Sequence, residues 1–134
     1  MAQVTRKGIY FSSRINSDSR EIEKYNVRHD ATIEHAEVRF YPGAQLDLQL
    51  KLKVIDQDGT TKEIVDPQGE KDYIAGDDDF FKFDISVPIQ KNDEIRIIAD
   101  NVDQNGNAYD YVVNMEVDRL GGIERIAKKI GGIF

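Results

Sequence analysis

Two acidic stretches hold the residues best suited to chemistry. In "GDDDFFKF", Asp77, Asp78 and Asp79 follow Gly76 directly. In "DNVDQNGNAYD", Asp100, Asp103 and Asp110 stand among Asn101, Asn105, Gly106 and Asn107. Calcium takes roughly six to eight oxygens, often from acidic loops, so a shell shared by the two stretches is one expectation. It requires both loops at the same end of the fold. The run from Asn101 to Gly106 matches the N-x-D-x-N-G part of an EF-hand loop, but Val112 stands where the bidentate glutamate belongs. The competing expectation is local. Gly76 turns the chain, the three aspartates solvate and guard an aromatic strand, and Asn105-Gly106 makes a hairpin turn.

Support for catalysis is thin. The histidines are His29 and His35, with no HExxH pattern and no third ligand in view. Strand alternation puts His35 on the face of Ile33, away from Ala36 and Val38. No G-x-S-x-G, phosphate-loop or dinucleotide glycine pattern occurs. A pair of catalytic carboxylates is compatible with so acidic a chain, but abundance does not point to one. The expectation is a protein that is not an enzyme and has no cofactor, with calcium as the alternative. Carbohydrate binding would draw on aromatic faces, and Tyr41, Tyr73, Tyr109 and Tyr111 lie near strand ends or acidic loops. Tryptophan is absent.

The elements that must position these residues read as strands. Leu46, Leu48, Leu50, Leu52 and Val54 alternate with polar residues, giving one dry and one wet face. "DQDG" at 56–59 then marks a hairpin turn before "TTKEIV", and Pro67 and Gly69 close that segment. Phe81, Phe83, Ile85 and Val87 alternate next, up to Pro88, which belongs at a strand end or an edge. Ile95, Ile97 and Ala99 form one face, and Tyr109, Tyr111, Val113, Met115 and Val117 another. Weaker strand patterns run through "GIYFSSRI", "REIEKYNVR" and "IEHAEVRFY". About eight strands with frequent turn signals predict an all-β, antiparallel two-sheet sandwich of jelly-roll or Greek-key type.

The C-terminal segment breaks the pattern. Ile123, Ile126, Ala127 and Ile130 recur at helical spacing opposite Glu124, Arg125, Lys128 and Lys129, between glycine pairs at 121–122 and 131–132. So short a helix does not stand alone in water and must dock. Three destinations compete: the open end of its own sandwich, a neighbouring subunit, or an anionic membrane. The membrane is the weakest of these, given so small an apolar face. Ile123, Ile126, Ile130 and Phe134 are the expected anchors. The organisation is therefore one sandwich domain over 1–118 with a helical arm over 119–134.

Charge separates the same two parts. Residues 1–40 sum to +1 and 41–118 to −11, so the domain over 1–118 carries −10 against +3 for 119–134, a total of −7. An acidic body disfavours nucleic acid, while a basic arm is attracted to it or to its neighbour. With 134 residues and 40% apolar composition, the chain can build a core without staples. The absence of cysteine removes disulfides, thiolate metal sites and thiol nucleophiles. Neither a signal peptide nor an apolar run of membrane-spanning length is read, so cytoplasmic synthesis of a soluble protein is expected.

In its general pattern the chain resembles the single-domain sandwich proteins of virus and phage particles, whose terminal arms reach neighbouring subunits. The resemblance is one of fold and rests on no residue motif. It implies a structural, self-associating subunit, a homo-oligomer or part of a virion. The alternative is a calcium-assisted carbohydrate- or protein-binding module.

Overall fold

The computed structural model describes residues 2–4, 8–65 and 72–119. Among these lie ten strands and no helix: β1 (Ala2–Val4), β2 (Gly8–Ile15), β3 (Ser19–Asn26), β4 (Ala31–Phe40), β5 (Leu48–Ile55), β6 (Thr61–Glu63), β7 (Ile74–Ala75), β8 (Phe80–Ile89), β9 (Glu94–Asn101) and β10 (Tyr109–Arg119). No helix among the described residues is long and apolar enough to cross a membrane, which says nothing of a β-barrel. Of the arm predicted over 119–134, Arg119 instead ends β10, and the rest, with Ile123, Ile126, Ile130 and Phe134, lies outside the described residues.

One sheet has the order β1-β2-β10-β4-β8. The other has β3-β9-β5-β6, with the two-residue β7 also pairing β5. Every pairing is antiparallel. The sheets pack as a sandwich. From β2 to β5 each strand lies in the other sheet from its predecessor, and the same holds from β7 to β10. Because β3 lies against β1 and β2, the two sheets run in the same lateral sense, and β6 and β7 fall on the side of β8.

Strand alternation builds the core. Leu48, Leu50, Leu52 and Val54 are fully buried, and Ile95, Ile97 and Ala99 continue that surface on β9. From the other sheet, Phe11, Val113, Val38 and Phe81 form one inward row across four strands, set by their register. Each fully buried aliphatic side chain contributes about 1.5–3 kcal/mol relative to exposure, so these rows supply most of the driving force.

Three local expectations change. Leu46 is no part of the dry face. The chain takes left-handed backbone at Gly43, Gln45 and Leu46, which leaves Leu46 52% exposed and buries Ala44 in its place. His35 shares no face with Ile33. A bulge shifts the register of β4 against both β8 and β10, turning Glu34 and His35 outward together while Ile33 and Ala36 both stay buried. Finally, Asn105-Gly106 does not close a hairpin. β9 and β10 belong to different sheets, so residues 102–108 arch across the sandwich. The "DQDG" hairpin does form. Asp56 Oδ1 accepts the N–H groups of Asp58 and Thr60, and Gly59 takes a φ of 84°.

Candidate functional site

Register places four loops at one end of the sandwich. Tyr111 pairs Phe40, Tyr109 pairs Ile15, and Asn101 pairs both Ser19 and Leu48. The Phe40 N–H also donates to the Asp79 carbonyl. The loops 16–18, 41–47, 76–79 and 102–108 therefore share that end, as a joint calcium shell requires. The aspartates reach the same end but not the same point. Among the described residues, no three His, Asp or Glu side chains gather as a metal set.

Each aspartate instead meets a local partner. Arg20 holds Asp100 with Nε and Nη2, and Arg14 holds Asp110 at 2.9 Å. Arg39 holds Asp78 at 2.8 Å. Asp77 accepts the Gly43 N–H at 2.8 Å, and Asp79 accepts the Asp77 N–H at 2.7 Å. A Cβ on Gly76 would meet Asp79 Oδ2 at 2.8 Å and the Phe40 ring at 2.9 Å, so the turn needs glycine for its close approach.

Asp103 and Asn101 form a buried polar joint. Asp103 Oδ2 accepts the N–H groups of Asn105 and Asn107 at 3.0 and 2.9 Å. Asn107 Nδ2 and the Ser17 hydroxyl add to this, and Ser17 also donates to the Asp103 carbonyl at 2.7 Å. Asn101 Nδ2 donates to the carbonyls of Ile15 and Asn107, and its Oδ1 accepts the Asp103 N–H. The joint locks loop 102–108 to loop 16–18.

The Asn107 N–H, with the other donors, holds the Asp103 carboxyl below its ordinary range against the opposing effect of desolvation. A depressed folded-state value makes a contribution that is complete above the unfolded carboxyl value of about 3.9 and is lost as pH falls through the folded one. Asp103→Asn should therefore lower stability at neutral pH and flatten the acid limb of the stability curve. Urea unfolding across the acid range checks this, and an unchanged slope contradicts it.

Tyr111 makes the second cross-sheet tie. Its hydroxyl donates to Glu23 Oε1 at 2.6 Å, with both residues buried. Burial, then the Glu23 hydrogen bond and charge, push the phenol well above its ordinary value. Tyr111 is thus unavailable to stack on a sugar. Two shallow depressions flank this end. One of about 490 Å³ is lined by Asp18, Arg20, Gln49, Asp100, Asn101 and Gln104. The other, about 370 Å³, is lined by Tyr10, Ser12, Arg14, Tyr41, Asp110 and Val112. Tyr41 is exposed, with the Arg39 guanidinium 5.2 Å from its ring centre. Sequence reasoning picked out Tyr41 but missed Tyr10, which only the pairing of β2 with β10 brings near.

Away from that end, His35 Nδ1 lies 2.7 Å from Asp84 Oδ1, and His35 Nε2 lies 3.9 Å from Glu116 Oε2. These side chains sit on an open sheet face, all about half exposed or more. At that exposure the described residues do not enclose them, so the row has the residue types of acid–base chemistry without its setting.

The sandwich edges differ in their protection. β3 turns Glu21 and Glu23 to its inner side and carries Arg20 and Lys24 outward, which discourages pairing. β8 carries Lys82, Asp84 and Pro88 outward, but its inner side is Phe81, Phe83, Ile85 and Val87. These four are only partly buried. Among the described residues, the strands on their side of the opposite sheet are the three-residue β6 and two-residue β7, against a ten-residue β8. Phe81 meets Phe40 edge-on at 6.0 Å and stacks on Phe83 at 6.2 Å. The predicted alternation is correct, but its incomplete cover was not legible.

No protein-family model matches the chain. No curated protein matches it either. Among solved structures it is similar to PliG of Salmonella Typhimurium, a periplasmic inhibitor of g-type lysozyme. That match has 8% identity and a TM-score of 0.42, covering 87% of this chain and 95% of the other. It is also similar to infectious bursal disease virus, Gt strain, at 16% identity and a TM-score of 0.41, covering 84% of this chain and 30% of the viral one. The VP2 subviral particle of that virus matches at 18% identity and a TM-score of 0.37, covering 80% of this chain and 29% of the other. At this level of likeness none of these bears on what the chain does.

Proposed function

We propose that the chain is a non-enzymatic structural subunit, a sandwich that self-associates into a larger assembly such as a virus or phage particle. The strand orders β2-β10-β4-β8 and β3-β9-β5-β6 support a jelly-roll reading of the sandwich. Jelly rolls serve as capsid and lectin domains alike, so topology sets the class and not the role. The observation that carries the reading is β8, a long edge strand whose apolar inner side is only partly buried, in contrast to the charge-guarded β3 edge on the opposite side of the sandwich. Natural sandwiches protect such edges unless something pairs with or covers them. The basic arm over 119–134 supplies a means of association, because its +3 charge complements a body over 1–118 that sums to −10. Sedimentation of the full chain from micromolar to submillimolar concentration tests this. The expected mass is a multiple of 15.3 kDa, and a monomer throughout would sink the reading.

A second reading, a calcium-assisted carbohydrate- or protein-binding module, draws on one observation. Both acidic loops lie at one end, beside the Tyr10–Tyr41 depression. Calcium would have to draw Asp77, Asp78, Asp79, Asp100, Asp103 or Asp110 away from present partners. If it binds the folded chain, millimolar calcium raises Tm relative to EDTA. No shift removes this reading.

A further inference from the structure

We infer that the inner side of β8, the stripe Phe81, Phe83, Ile85 and Val87, is the acceptor for the C-terminal segment 120–134 of a neighbouring copy. The proposal rests on the self-association reading for its intermolecular sense. The occupant follows from which residues are left to do the covering. Outside the described set are residues 1, 5–7, 66–71 and 120–134. The first two groups offer only Met1, Thr5, Arg6 and Lys7, which flank β1, the edge strand farthest from β8. Residues 66–71 read "DPQGEK" and have no aliphatic or aromatic side chain beyond Pro67. The last group alone carries an apolar set, Leu120, Ile123, Ile126, Ile130, Ile133 and Phe134.

Length and placement agree. Arg119 pairs Ala31, and Ala31 pairs Ile89, so β10 ends level with the end of β8 and two strands away from it. The stripe from Phe81 to Val87 runs about 20 Å at the usual strand rise. A helix over 123–130 covers about 12 Å of it, and the flanking residues span the rest. With Ile123, Ile126 and Ile130 on the stripe, Arg125, Lys128 and Lys129 face outward. Cover of this kind removes the part of the stripe that β6 and β7, among the described residues, leave exposed.

The absence of cysteine makes the test direct, because any disulfide must join introduced residues. Full-length chains carrying Phe83→Cys, Ile85→Cys or Val87→Cys are mixed with chains carrying Ile123→Cys, Ile126→Cys or Ile130→Cys and mildly oxidised. A disulfide forms only where Cα atoms approach within about 7 Å, so the pairs report register. The expected result is a bond between the two kinds of chain in particular pairs, with most of the sample shifting to twice the chain mass. An Ile22→Cys control on β3 forms none. The substituted β8 positions are only partly buried, and an unchanged circular dichroism spectrum shows that each variant folds. A bond between two β8 variants would mean edge-to-edge pairing and overturn the proposal. So would a bond confined to doubly substituted single chains. No bond at any pair, in a chain that sedimentation shows to be oligomeric, overturns the acceptor while leaving self-association standing.

Discussion

Replacing Asn101 by leucine should destabilise the folded chain by about 3–5 kcal/mol, although the shape of the side chain is nearly kept. Leaving a buried polar group unpaired costs roughly 1–3 kcal/mol, and here three such groups lose their partner together. The Ile15 and Asn107 carbonyls lose their donor, and the Asp103 N–H loses its acceptor. All three lie around a side chain that is 2% exposed, where water cannot substitute without opening the joint. The loss spreads to Asp103 and Ser17, whose bonds depend on loop 102–108 staying where it is. Urea unfolding at neutral pH measures the effect through the midpoint. A change below about 1 kcal/mol would mean that the joint contributes little and the strands alone hold that end.

Phe40→Ala should cost a comparable amount, about 3–5 kcal/mol, as Phe-to-Ala changes in closed cores do. Phe40 is fully buried at the end of β4, with Phe81 against its edge and the Gly76 turn against its ring. Its removal leaves a cavity that β8 cannot close, since Phe81 is held in register by Val38. The effect then reaches the stripe, because Phe81 stacks on Phe83 and loses its own support. The same unfolding measurement reads the stability. Phe40→Leu, which keeps most of the volume, should recover more than half of the loss. Equal losses for the two substitutions would contradict the cavity account.

Much of this architecture is written in the alternation of side chains. Leu48 through Val54, Ile95 through Ala99 and Tyr111 through Met115 each have a period of two, and each lies where that period puts it. What a local pattern does not carry is pairing between distant strands. The Asn-Gly signal at 105–106 reads as a hairpin because turn chemistry is local, whereas the crossing of 102–108 between sheets depends on where β10 finds its partners. The bulge at Glu34 is invisible for the same reason. Nothing in "IEHAE" shows that two successive residues must face outward until Ile33 and Ala36 are both seen in the core.

A shared end for the acidic loops was a requirement of the calcium reading alone, and what their carboxylates do was not legible. Arg14, Arg20 and Arg39 come to Asp110, Asp100 and Asp78 from strands 96, 80 and 39 residues away in sequence. The role of Ser17 carried no signal at all. A serine before an aspartate is an ordinary loop residue until Asp103 arrives beside it. Likewise, the stripe on β8 looks in sequence like any other core strand. It differs because β6 and β7 together are too short to cover it, which is a property of the opposite sheet.

The central claim is that the arm over 119–134 joins copies of this sandwich, and solution mass tests it most directly. Light scattering should be run on the full chain and on a version ending at Asp118, with circular dichroism confirming that both are folded. An oligomer for the full chain and a folded monomer for the shortened one is the predicted result. An oligomer that survives the truncation, or a full chain that is itself a monomer, contradicts it.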